Sequence, residues 1–296
     1  MKARHISDKM LKDFLNGLLT PMLEAVKSDD TLDLELRGGV VNIYYRGGSI
    51  FKITDHNGKY DIFFDNKYCT SHSARLNSSP SISDAVRGLP LYKQAMDWWF
   101  HEHPKYEREF QQVIARENNN HRKISGGTDY YIADIEYEDR HGHSRFDMVA
   151  LKWLSKGSIR KDTNKVSLAL IEVKYGDGAL TGTAGIQKHL DDFKAFLNDQ
   201  QKLTFFCKDM SEVFRQKCKL GLVDGLKETQ HNVSINTEKP EVIFIFANHD
   251  PDSKILNNIL RTIKSTDYTF PILIAQASNM GYGLYVDNLH SLDSYK

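Results

Sequence analysis

Cysteine is scarce in this sequence: Cys69, Cys207 and Cys218 stand far apart, and none belongs to a Cys-x-x-Cys pair. That spacing argues against structural zinc and against a disulfide framework. No apolar run approaches the ~20 residues that a membrane-spanning helix needs. The stretch from Met1 to Met10 mixes charge with polarity and has no signal-peptide core. A reducing, cytoplasmic setting without a membrane partner is therefore expected. Net charge is absent too, because 39 Lys and Arg balance 39 Asp and Glu. This is not the profile of a nonspecific nucleic-acid coat protein, although an acidic site can offset a basic groove in an enzyme. Several catalytic signatures are also missing. The glycine-rich stretch Gly176, Gly178, Gly182, Gly185 has neither a Gly-Lys-Ser/Thr ending nor G-x-G-x-x-G spacing, which weighs against a nucleotide loop. His101, His103, His141 and His143 lack the H-E-x-x-H spacing of a zinc helix and read as solvated residues. No G-x-S-x-G elbow supports Ser/His/Asp catalysis.

What is present is a 296-residue chain, 40% hydrophobic and 26% charged, long enough for one large domain or two modest ones. Met10, Leu11, Phe14, Leu15, Leu18, Leu19, Met22, Leu23 and Val26 recur at helical spacing, which predicts one amphipathic helix ending before Ser28. Four β-type runs follow, at 32–37, 40–46, 49–54 and 59–65, separated by Gly38-Gly39, Gly47-Gly48 and Asn57-Gly58. Such pairs tolerate positive φ and make hairpin turns, so an antiparallel meander is expected. Arg-Gly-Gly occurs at 37–39 and 46–48; turn chemistry accounts for it better than RNA binding does. The serine-rich stretch 70–83 reads as a linker.

Beyond residue 91 the spacing predicts helices over 91–100 and 105–117, the second started by Pro104 and turning Tyr106, Phe110, Val113 and Ile114 inward. Strands are expected at 130–137, 144–152 and 166–175, helices at 184–197 and 210–223, a strand at 242–247, a helix at 254–263 and a strand at 272–276. The class is α/β (α+β mixed), with a central mixed β-sheet flanked by helices. A helix-plus-meander module (1–85) would precede this larger domain (91–296).

Two of these strands carry charge where apolar residues are expected. Asp147 interrupts Phe146-Asp147-Met148-Val149-Ala150-Leu151, and Leu168-Ala169-Leu170-Ile171 runs into Glu172-Val173-Lys174. Strand side chains alternate, so Glu172 and Lys174 share one face. Burying such charges unpaired is costly, so they must face a cleft, bind something or pair with each other. Two carboxylates from adjacent strands make a hard oxygen site suited to Mg²⁺, to which the Val173 carbonyl can add. A lysine beside them can orient or deprotonate water and stabilise charge on a phosphate.

Asp147 followed by Glu172-Val173-Lys174 resembles the PD-(D/E)xK nuclease signature, over roughly two-thirds of the chain, with Phe146 in place of the family's proline. The resemblance implies a restriction-endonuclease-like core, Mg²⁺ (or Mn²⁺) as cofactor, and nucleic acid, DNA foremost, as substrate. It further implies an acidic residue on the preceding helix, for which Glu107 is the candidate with Glu109 close behind, and a polar residue on the following helix, matched by Gln187. Lys152, Lys156, Arg160, Lys161 and Lys165 cluster between the two catalytic strands and are candidates for phosphate-backbone contact. A homodimer is compatible with this reading. The alternative is a catalytically inactive nucleic-acid- or protein-binding module on the same fold.

Overall fold

The structure is a computed structural model that describes residues 2–71, 75–120, 127–139, 144–182, 185–250, 252–277 and 281–296. The N-terminal apolar stripe forms two helices rather than one, α1 (Asp8–Asn16) and α2 (Thr20–Ser28). Gly17 closes the first, and Pro21, which has no N–H to give, fits only the first turn of a new helix. The meander forms as expected, with β1 (Leu32–Leu36), β2 (Val40–Tyr45), β3 (Gly48–His56) and β4 (Lys59–Phe63) antiparallel in chain order. Its second turn sits one residue earlier than the glycine pair suggests. Arg46 and Gly47 occupy it with φ of 50° and 72°, and Gly48 already belongs to β3.

The stretch expected to be a linker is partly helical: α3 spans Ile82–Glu102, capped by Ser81, whose side chain accepts the Asp84 N–H. Pro90 lies inside this helix, which begins before the expected start at residue 91. There follow α4 (Tyr106–Asn119), β5 (Tyr130–Asp139), β6 (Ser144–Lys152), α5 (Gly157–Arg160), β7 (Val166–Tyr175), α6 (Ile186–Asn198), α7 (Gln200–Leu220), β8 (Ile235–Ala247), α8 (Ile255–Thr262), β9 (Ile272–Gln276) and β10 (His290–Ser291).

These strands make a second sheet in the order β10-β9-β8-β7-β6-β5. Pairing is antiparallel through β5, β6 and β7, parallel through β7, β8 and β9, and antiparallel again at β10. The protein is thus a mixed α/β structure with one antiparallel and one mixed sheet. β7 is covered on both faces: Leu168 and Leu170 join a core with Phe193 and Phe196 of α6, while Ala169, Ile171 and Val173 join another with Ile114 and Ala115 of α4.

α4 departs from its expected inward stripe. Ile114 is buried, but Tyr106 is 54% exposed, and the helix buries amides instead. Gln112 Oε1 accepts the Gly47 N–H, Asn119 Oδ1 that of Ile132 and Asn118 Oδ1 that of Leu284, so each amide satisfies backbone that would otherwise be orphaned.

The meander and the second sheet share one core, and α3 runs unbroken across residues 85–91. An ion cluster is buried between them. Lys217 Nζ of α7 donates to Glu35 Oε1 at 2.6 Å, Arg37 pairs with Asp134, and Arg4 Nε lies 3.4 Å from the other Asp134 oxygen. Burial, reinforced by Asp33 and Asp134 against the pull of Lys217, pushes the Glu35 carboxyl up to about 8 from its ordinary 4.5. Folded Glu35 then holds a proton that the unfolded chain releases between those values, so its contribution to stability falls as pH rises through that window. Replacing Glu35 with Gln should remove this slope, and urea midpoints measured from about pH 5 to about pH 8 should converge on, then favour, the variant. Parallel midpoint curves would show that Glu35 folds ionised.

Candidate active site

Glu172 and Lys174 continue the face of β7 that Leu168 and Leu170 present to α6, and both are almost fully buried, at 2% and 3% exposure. Lys174 Nζ donates to Glu172 Oε1 at 2.7 Å, and His189 Nε2 of α6 lies 2.9 Å from the same oxygen. The other carboxylate oxygen, Oε2, is buried and has no hydrogen-bond partner among the described residues. An ionised oxygen in that position is costly unless a cation completes it.

Asp147 reaches the same place by an irregularity in the sheet. The β6–β7 ladder runs from Lys152↔Ser167 to Met148↔Ile171. At the next position the Asp147 side chain takes over, its Oδ2 accepting the Val173 N–H at 2.8 Å. Alternation along β6 breaks here: Val149, Leu151 and also Phe146 belong to the α6-side core, Met148 and Ala150 to the α4-side core. In β5, Glu136 lies between the pairs Ile135↔Met148 and Tyr137↔Phe146 and has a left-handed φ of 51°. Backbone of this kind persists where surroundings over-determine it, and Arg108 Nε holds the Glu136 carboxylate at 2.7 Å.

Glu107, in the first turn of α4, belongs to this group, and Glu109 does not. Glu109 is held by Arg46, whose Nε donates to it at 3.0 Å. The Glu107 carboxylate lies by the backbone N–H of Tyr175 and feels Lys174, Glu172 and His189. Burial raises its carboxyl above the ordinary range, with Lys174 opposing and Glu172 adding to the rise. Asp147 is raised well above the usual carboxylate range, first by burial and then by Glu172, with the Val173 N–H pulling the other way. Three carboxylates thus face one lysine and one histidine.

Other expected residues lie elsewhere. Gln187 is exposed and donates to Asp191 Oδ1 and to the Tyr268 hydroxyl, so α6 presents His189 rather than Gln187 to the cluster. The signal was in the spacing: Ile186, His189, Leu190 and Phe193 form the inward stripe of that helix, and Gln187 falls off it. The basic connection between β6 and β7 is at the wrong end of the sheet. An antiparallel pair joined after Lys152 places its link about 17 Å along the strand from Asp147, at ~3.4 Å per residue. Lys152 Nζ is paired with the buried Glu241 at 2.6 Å, and Glu241 also accepts the Tyr130 hydroxyl. Arg160 packs over the Tyr131 and Trp153 rings and donates to the Leu154 and Thr128 carbonyls, bracing a corner of the fold. Lys156, Lys161 and Lys165 are exposed on that remote connection.

No protein-family model matches the chain, and neither does any curated protein or solved structure. Among the described residues, no three His, Cys, Asp or Glu side chains gather into a group that could hold a metal ion alone. The pair Asp147 and Glu172, with the partnerless Oε2, fits a less demanding ion. Mg²⁺ is commonly bound through one or two carboxylates, keeping waters and substrate oxygens as its other ligands.

The position of Asp147 has a thermodynamic consequence. With its carboxyl raised above the ordinary 3.8, the folded state favours the protonated form, and the cost of ionising it grows as pH rises from there. In chelator at neutral pH, Asp147→Asn should therefore be more stable than wild type by about 1–3 kcal/mol, with the gain vanishing in acid. Thermal melts at both pH values check this; a destabilised variant at neutral pH would contradict it.

Proposed function

We propose that this chain is a Mg²⁺-dependent nuclease of the PD-(D/E)xK type, hydrolysing phosphodiester bonds, with DNA as the substrate. The observation that carries the reading is the convergence at one strand end of Asp147, Lys174 and a buried Glu172 oxygen that has no partner among the described residues. The irregular β6 edge and the mixed sheet behind it are compatible with a restriction-endonuclease-like core.

Asp147 and Glu172 would hold the ion, which when bound neutralises phosphate charge and activates water; Mn²⁺ can replace Mg²⁺ in such a donor set. Lys174 is pinned by Glu172, so its ammonium is aimed without loss of side-chain freedom at the reaction step. There it donates to the attacking water or to a non-bridging phosphate oxygen, where negative charge grows. The water oxygen forms a bond to phosphorus, the bond from phosphorus to the leaving sugar oxygen breaks, and one proton of the water is lost as another is gained by the leaving oxygen. Glu107, a carboxyl that burial raises and that faces Lys174 and Glu172, is suited to carry the water's proton. His189 fixes the rotamer of Glu172 and is a positioning residue.

Plasmid and linear DNA incubated with Mg²⁺ or Mn²⁺ test this directly. Wild type should cut, EDTA should stop it, and Asp147→Ala and Lys174→Ala should each lose about 10²-fold or more while unfolding cooperatively in urea. His189→Ala should lose less, and Gln187→Ala should cut like wild type. Undiminished cutting by Lys174→Ala would remove this mechanism. Absence of cutting and of Mg²⁺ binding in wild type would leave a binding module.

A further inference from the structure

A row of four aromatic rings borders the site, and its two ends are exposed. Tyr106 stacks on Tyr175 with ring centroids 5.5 Å apart and planes 26° apart. Tyr175 meets Phe110 edge-on at 6.1 Å, and Phe110 meets Tyr282 edge-on at 5.3 Å. The middle of the row is partly buried, whereas Tyr106 is 54% and Tyr282 42% exposed. The row is tied to the candidate catalytic groups through the backbone: Tyr106 directly precedes Glu107, and Tyr175 directly follows Lys174. Because strand side chains alternate, the rings cover the α4 side of the β7 end while Lys174 and Glu172 occupy the α6 side.

We infer that this row is a stacking platform for the bases of a single-stranded segment of the nucleic acid whose phosphate lies at Lys174, an inference that rests on the nuclease reading. An exposed tyrosine offers a flat π-face that water solvates poorly, and every base has a matching face. Bases inside an intact duplex are stacked on one another and cannot reach such a surface, whereas those of a single strand can. Tyr175 and Phe110 hold the Tyr106 and Tyr282 rings from behind, so little ordering is needed on binding. Lys105, exposed and next to Tyr106, adds a cation for the strand's backbone. The occupant is thus a polynucleotide strand running over the end of β7, bases on the tyrosines and phosphates toward Lys174.

The test is fluorescence anisotropy of the full chain in EDTA, using one labelled DNA oligonucleotide as a single strand and the same oligonucleotide in a blunt duplex. The single strand should bind about tenfold or more tightly than the duplex. Tyr106→Ala and Tyr282→Ala should each weaken single-strand binding about tenfold while sparing duplex binding, and Tyr106→Trp should restore it. Equal affinity for the two forms, or alanine variants that bind the single strand like wild type, overturns the platform. Parallel cleavage assays with Mg²⁺ separate the two readings. Cutting that depends on Asp147 but not on strand form would sink the platform and keep the nuclease. Tyrosine-dependent single-strand binding without any cutting would do the reverse.

Discussion

A carboxylate removed from water must be matched, and this chain answers that demand in two different ways. Between the meander and the second sheet, Asp33, Glu35 and Asp134 are set against Arg4, Arg37 and Lys217, three acids to three cations, in a closed interface. At the end of β7, Asp147, Glu172 and Glu107 face, among the described residues, Lys174 and His189. The first cluster sets its acids directly against cations from the other unit, so its product is attachment of one unit to the other. The second leaves a surplus of negative charge that folding alone does not resolve. Such a surplus is destabilising, and a cation, a proton or both must complete it.

The location of that surplus follows from topology. β7 is antiparallel to β6 on one side and parallel to β8 on the other, so its interior is covered by helices on both faces and only its ends meet solvent. The β6–β7 connection occupies one end. At the other, the ladder stops at Met148↔Ile171 and a side chain takes over the backbone bonding. A regular ladder there would leave the Asp147 carboxylate with no donor of its own.

Much of this arrangement was legible in the residues. Strand period two put Glu172 and Lys174 on one face, and the apolar runs around them announced a buried sheet. The presence of a mixed sheet and the meander turns could likewise be read, because turn chemistry and apolar periodicity are local signals. What escaped depended on tertiary partners. Gln187 and His189 differ only in which side of α6 they occupy, and the inward stripe through Ile186 and Phe193 already favoured His189. Glu107 and Glu109 could not be separated by helical spacing; the choice is made by Arg46, sixty residues away, which takes Glu109. The buried amides of α4 were opaque for a similar reason, since each serves backbone contributed by a distant segment. The basic cluster at 152–165 was misplaced despite a readable constraint, because a hairpin link cannot lie beside residues at the open end of its strands.

Arg46 also bears on what the N-terminal unit is for. α4 begins without a side-chain cap, its N-cap residue being Lys105, so its first turn relies on other partners. The meander supplies them. The Arg46-Gly47 turn packs so tightly on α4 that a Cβ on Gly47 would lie 2.4 Å from the Arg108 carbonyl carbon, which only glycine avoids. Arg46 grips Glu109 and Asp97, while Gln112 accepts the Gly47 N–H. The first turn of α4 carries Tyr106 and Glu107, the two residues that the proposed platform and proton transfer require. The meander turn is therefore part of the frame that holds the first turn of α4. Loosening the turn, as any side chain at Gly47 would, should disturb Tyr106 and Glu107 together while leaving the Lys174–Glu172 pair, anchored on β7, in place.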